Sequence, residues 1–174
     1  IVVGFVAGHE VKHFALALQK QPKNAMILEG LGYVERRQGR LNKAIASLKE
    51  VLEIDPRASQ TVFNLGETYA LVRNYEEAER CYSRALFLNP DYPRAYAWKS
   101  RLYLDWYGDT TKAGQVLEEA AKAVGSKEDN LVSYQSILVE IYDSRYQDAL
   151  NRLSSSSFEA YQDQFYYVPK TQLV

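Results

Sequence analysis

The chain has 174 residues, 47% apolar and 25% charged, the balance of one folded domain or a short array of repeats. A net charge of −1 supplies no global basic field, which argues against nucleic acid and an anionic membrane surface as partners. A single cysteine, Cys81, excludes an internal disulfide and fits a reducing, cytoplasmic setting, and no apolar run reaches the roughly 18 residues needed to span a bilayer.

The chain opens on Ile-Val-Val-Gly-Phe-Val-Ala, too short for the apolar core of a signal sequence with its charged flank. His9-Glu10-Val11-Lys12-His13 follows and fits H-E-x-x-H, the helical spacing that holds a catalytic zinc. Such a site needs both imidazoles turned into a cleft and a third ligand. The chain has no further histidine, and the nearest acids that could complete a site, Glu29 and Glu35, lie in a stretch that the periodicity below accounts for. The pair is read as histidines at the start of a helix; no metal, no cofactor and no catalytic residue is expected.

Prolines stand at 22, 56 and 90, each 34 residues from the last. Leu31-Gly32 returns as Leu65-Gly66, Ala44 as Ala78, Leu48 as Tyr82 and Leu52 as Leu86, without a gap. Each unit reads as two helices. In the second, Val62, Leu65, Tyr69 and Leu71-Val72 recur at helical spacing, Arg73-Asn74 interrupts, and Ala78, Tyr82, Ala85 and Leu86 resume it. Gly66 and Ala78 are small where two helix axes must pass closely. Asn89-Pro90 closes the unit, because proline lacks the amide proton and clashes with the preceding turn.

These residues resemble the tetratricopeptide repeat family. Residues 59–92 match its pattern at Leu65, Gly66, Tyr69, Tyr75, Ala78, Tyr82, Ala85 and Pro90. Residues 25–58 match at Leu28, Leu31, Gly32, Ala44, Leu48 and Pro56, and depart at Glu35, where an aromatic is usual, and at Val51, where alanine is. Residues 93–127 keep Tyr96, Tyr103, Ala113, Leu117 and Ala120. They carry Lys99-Ser100 for Leu-Gly and one extra residue in the Trp-Tyr-Gly-Asp-Thr-Thr turn, and they are expected to stop at Gly125 in a left-handed conformation. Residues 128–157 read as a degenerate repeat with Tyr146 and Ala149 in place. Residues 1–24 read as the end of a truncated repeat, with 1–6 the tail of its first helix and 8–20 its second. Residues 158–174 read as a loop and the start of a further repeat, Phe-Tyr-Tyr-Val-Pro opening a helix after a solvated loop at Ser154–Ser157. With no initiator methionine and both ends inside a repeat, a longer parent array is expected. More loosely, the central units are similar to arrays fused to bacterial signalling enzymes.

The resemblance implies an all-α fold, a right-handed superhelix (solenoid) of stacked antiparallel helix pairs, whose first helices line a concave groove. Carried over position by position, the lining comprises Tyr33, Arg36 and Arg37 from the first full unit, Phe63, Asn64 and Glu67 from the second, and Arg94, Trp98, Arg101 and Asp105 from the third. Tyr, Trp and Arg are the usual hot-spot residues of interfaces. Some family members clamp acidic chaperone C-termini with Lys and Asn in the first unit, Asn in the second, and Lys and Arg in the third. Those positions here are Glu29, Tyr33, Asn64, Arg94 and Trp98, and Glu29 would repel a carboxylate, so the clamp is disfavoured. The expected function is a non-catalytic scaffold that binds a protein or peptide, or else the recruiting arm of a larger signalling enzyme. Self-association through apolar ends is a further expectation. Cys81 has no histidine near it in sequence and no phosphate-binding glycine loop is present, so neither nucleophilic nor nucleotide chemistry is indicated.

Overall fold

A computed structural model describes the backbone of residues 2–124, 130–155, 160–162 and 167–169, and the side chains of 11–124 and 130–155. The chain divides into two compact units, Ile1–Leu88 and Asn89–Val174. The first holds α1 (Val2–Lys20), α2 (Ala25–Arg37), α3 (Leu41–Ile54), α4 (Ser59–Leu71) and α5 (Tyr75–Leu88). The second holds α6 (Pro93–Tyr107), α7 (Thr110–Val124), α8 (Asn130–Tyr142), α9 (Tyr146–Ser155) and a short antiparallel ribbon, β1 (Ala160–Gln162) with β2 (Tyr167–Pro169).

Local chemistry sets the helix ends. Asn24 caps α2, its Oδ1 accepting the Ile27 amide at 3.2 Å, and Asp109 does the same for α7 with the Lys112 amide at 2.9 Å. Pro93 sits in the first turn of α6, where its missing N–H costs nothing. The turn inside each pair is built one way. Gly39, Arg73, Gly108 and Ser144 all adopt positive φ, between 59° and 72°. The next amide then reaches back to the helix: Arg40 to the Glu35 carbonyl, Asn74 to Tyr69 and Arg145 to Glu140. In the third pair Asp109 reaches Tyr103, one residue farther along the chain, which is how the additional residue of that turn is absorbed.

Inside each pair, small residues let the helices meet. Ala44, Ala78 and Ala113 are fully buried and Ala149 nearly so. Across from Ala78, a Cβ on Gly66 would lie 2.8 Å from Tyr82 Cε1 and 3.0 Å from Cys81 Cβ, so that position has room for hydrogen alone. Ser100 takes the same place in the third pair. It is wholly buried, and its hydroxyl donates to the Ala113 carbonyl at 3.0 Å, so the polar atom is satisfied inside the contact. In the fourth pair Ile137 occupies this register and forms a small core with Ala149 and Leu153. The departure at Glu35 is also accounted for: its buried carboxylate accepts the Ser47 hydroxyl at 3.0 Å.

Three expectations are corrected. Residues 2–20 form one uninterrupted helix, so there is no junction near Gly8; glycine costs an α-helix only about 1 kcal/mol, and no proline or turn stands there to break it. Ser154 and Ser155 belong to the last turn of α9, where Ser155 Oγ donates to the Arg152 carbonyl at 3.0 Å. Tyr167–Pro169 is a strand and not the first turn of a helix: Tyr and Val favour extended backbone, and Pro169 steers Val168 away from the α region. Gly125, the expected helix stop after α7, lies outside the described residues.

Candidate functional site

The first-helix residues singled out from the sequence fall into two sets. On α2 and α4, a seam of polar contacts joins the helices. Thr61 Oγ1 donates to Glu29 Oε1 at 2.6 Å, Asn64 Nδ2 to Tyr33 Oη at 2.7 Å, and Arg36 Nη1 to Glu67 Oε2 at 2.8 Å. The Arg36 guanidinium also stands 5.8 Å from the centre of the Tyr33 ring. The Arg36 and Glu67 side chains are only 10% and 6% exposed, so this is a buried ion pair. Arg37, by contrast, is exposed.

Phe63 is a correction. It has no exposed surface, and its ring packs on Tyr82 with centroids 5.7 Å apart, so it belongs to the core of the α4–α5 pair and not to a binding face. Asn64 and Glu67 are likewise buried and already hydrogen-bonded. The reason is that α4 is buried at every position from Thr61 to Tyr69. A register carried over from a half-exposed helix cannot pick out a free face on one enclosed so completely. Sequence reading missed the partners Glu29 and Thr61; the signal available was a row of polar residues on two successive first helices at matching steps.

On α6, Arg94 and Trp98 are half-buried, and Asp105 is exposed. Arg101 Nε donates to Asp105 Oδ1 at 2.9 Å, an i,i+4 pair with side chains 34% and 50% exposed. Burial pulls Arg101 down, but Asp105 beside it outweighs this, with Tyr142 and Tyr134 of α8 adding to the effect, and its pKa is raised. One residue along from Tyr134, Gln135 is 4% exposed and its Oε1 has no hydrogen-bond partner among the described residues.

The backs of the pairs carry concavities too. One, of about 390 Å³, lies between α3 and α5, floored by Leu52, Leu65, Tyr69 and Cys81 and rimmed by Lys49 and Arg84. Lys49 is raised by its hydrogen bond to the Tyr69 hydroxyl. Cys81 is buried, and burial pushes its thiol up to about 11, the reverse of what a nucleophile needs. In the second unit a hollow of about 220 Å³ lies between α7 and α9, where Arg152 holds the buried Glu140 carboxylate through Nε and Nη2 at 2.7–3.2 Å. His9 and Glu10 lie on α1 with side chains outside the described residues; among the described residues no three His, Cys, Asp or Glu groups converge to hold a metal. No helix among the described residues is long and apolar enough to cross a membrane.

Antiparallel helix pairs that recur at a near-constant interval, each closed by the same left-handed turn, define a helical-repeat protein. Residues 35–102 match a family model described as tetratricopeptide repeat. The tetratricopeptide repeat-containing protein trd-1 of Caenorhabditis elegans is 29% identical over 113 residues, which is 64% of this chain and 14% of that protein. A tetratricopeptide repeat protein of known structure from Parabacteroides merdae is similar at a TM-score of 0.71 and 20% identity, over 83% of this chain and 56% of its own. YrrB, a tetratricopeptide repeat protein with an unusual peptide-binding site, is similar at a TM-score of 0.63 and 17% identity, over 81% of this chain and 71% of its own. Over residues 35–102 the chain is similar to the tetratricopeptide repeat family, and its fold is that of the tetratricopeptide repeat proteins of known structure.

Proposed function

We propose that this chain is a non-catalytic interaction module that holds an extended peptide, or a loop of a partner protein, against the exposed parts of its first helices, and that it does so in the cytoplasm. The observation that carries the reading is the side chains that the helix-pair cores leave available in each unit taken by itself: exposed Arg37 on α2 in the first, and exposed Asp105 with half-buried Trp98 and Arg101 on α6 in the second. Arg and Trp are among the types that dominate binding energy where proteins meet. The likeness to a peptide-binding repeat protein, YrrB, supports the same reading. Nucleic acid and membrane are not expected partners, given the near-neutral charge.

The experiment is a peptide array probed with the purified chain, followed by fluorescence anisotropy on the peptides retained. Binding is expected to fall at least tenfold in a Arg37→Ala/Trp98→Ala/Arg101→Ala variant whose circular dichroism matches the wild type. No retained peptide, or unchanged affinity in the variant, overturns the proposal. The match to trd-1 covers only 14% of that protein's length, and a second reading makes the repeats the recruiting arm of a larger enzyme. A catalytic domain in the same polypeptide would support it.

A further inference from the structure

We propose that, within the peptide-binding reading above, the α6–α8 face takes a carboxylate of the bound peptide on Arg101, with Asp105 as the group that the ligand displaces. Arg36 on α2 and Arg101 on α6 are each held by an acid, and those acids decide which of the two can exchange its partner for a ligand. Arg36 is held by Glu67, and both side chains are at most a tenth exposed. A ligand that took Arg36 would draw the counter-charge away from Glu67 in the interior, where separating a buried ion pair is strongly disfavoured. Arg101 is held by Asp105, half-exposed on the next turn of the same helix. Exchanging that partner for a ligand carboxylate leaves Asp105 in water, at almost no loss.

Charge points the same way. Helix α6 carries Arg94, Lys99 and Arg101 against one acid, Asp105. The one acid on α8, Glu140, is engaged by Arg152. On α2 and α4, Glu35 is taken up by Ser47 of α3, and Glu29 and Glu67 balance Arg36 and Arg37. An acidic segment is therefore drawn to the first face more than to the second.

The surroundings of Arg101 suit a peptide. Tyr142 of α8 is 63% exposed, and both it and Tyr134 of the same helix act on the guanidinium electrostatically. Gln135 occupies the register on α8 that Asn64 occupies on α4, and Arg101 the register of Tyr33. There the Asn64–Tyr33 hydrogen bond is made, whereas Gln135 Oε1 is buried with no partner among the described residues. A main-chain N–H of the peptide satisfies this oxygen once the amide turns toward it, relieving a buried acceptor that the described residues leave unmatched.

The test is fluorescence anisotropy of the full chain with fluorescein-labelled hexaglutamate and hexaglutamine peptides. The glutamate peptide is expected to bind at least tenfold more tightly, and more weakly as salt is raised. Arg101→Gln is expected to abolish that preference, and Asp105→Asn to tighten the glutamate peptide several-fold, while loss of an exposed cation elsewhere in the same unit, Lys122→Gln, leaves it unchanged. Circular dichroism confirms folding, and Asp105→Asn, at an exposed position, keeps the test alive should Arg101→Gln unfold. Equal binding of the two peptides, no binding of either, or tightening absent in Asp105→Asn overturns the assignment to Arg101. If array peptides still bind, and bind through Arg37 and Trp98, the interaction-module reading survives that result; if none binds, it fails on its own test.

Discussion

Gly66 shows how one side chain, or its absence, sets the spacing of a helix pair. Its missing Cβ lets α4 close on Tyr82 and Cys81 of α5 at distances no larger residue tolerates. Gly66→Leu is expected to overpack this contact and lower stability by about 1–3 kcal/mol, measured by urea denaturation. An unchanged midpoint would mean that the close approach is not maintained in solution. Beside it, Cys81 links burial to pH. Its thiol is pushed from 9.0 up to about 11 by burial, with Glu77 adding to the effect. The sign follows from which state loses its proton first: the unfolded chain ionises near pH 9 while the folded chain holds its proton, so stability is constant below pH 9 from this group and falls toward pH 11. Relative to Cys81→Ala, the wild type is expected to lose about 2 kcal/mol between pH 8 and pH 11, the order set by ~1.36 kcal/mol per pH unit. Lysines and tyrosines titrate in both proteins and cancel in the comparison. Parallel pH curves would contradict a buried, neutral thiol.

At the scale of elements, the α2–α4 seam does what an apolar contact would do elsewhere. Arg36 and Glu67 are buried together, so removing one takes away the other's counter-charge in the interior. Arg36→Met is expected to cost about 3 kcal/mol, and the double change Arg36→Met/Glu67→Leu to recover most of it, because a well-packed apolar pair replaces a buried ion pair with little loss. A double mutant as unstable as the single one would show that the seam orders more than its own charges. This seam also marks where sequence reading stops. Helix pairs are legible because their determinants are local: proline at 56 and 90, a left-handed turn residue, small residues at 34-residue intervals. Arg73 and Ser144 at positive φ show that the turn persists where glycine is absent. The candidate site is legible only as a register. Whether Phe63 points into a core or Glu67 pairs with Arg36 depends on which helix lies alongside, and that is decided by contacts 19 and 31 residues away, which spacing along one helix does not encode. The ribbon at β1–β2 was hidden for another reason: a short aromatic run before proline satisfies a helix opening and a strand equally until backbone pairing is seen.

For the whole molecule, the useful property is that contacts join near neighbours in sequence. In the unit Ile1–Leu88, α1 packs on α2, α2 on α3, α3 on α4 and α4 on α5. Its polar seam and its largest buried side chains, Phe63 and Tyr82, find their partners inside the same unit. In Asn89–Val174, α6 packs on α7 and α8, α8 on α7 and α9, with its own core at Ile137, Ala149 and Leu153. Stability in such a chain is close to a sum of pair and neighbour terms, and loop closure costs little because the loops are short. A fragment of residues 1–90 is therefore expected to retain helical circular dichroism, to unfold cooperatively in urea, and to refold within milliseconds, the regime of helical proteins with local contacts. The same fragment carrying Gly66→Leu should show the same stability loss as the full chain, since the contact it disturbs lies entirely between α4 and α5. A fragment without a cooperative transition, or one indifferent to Gly66→Leu, would show that the α4–α5 contact needs residues beyond 90 to form.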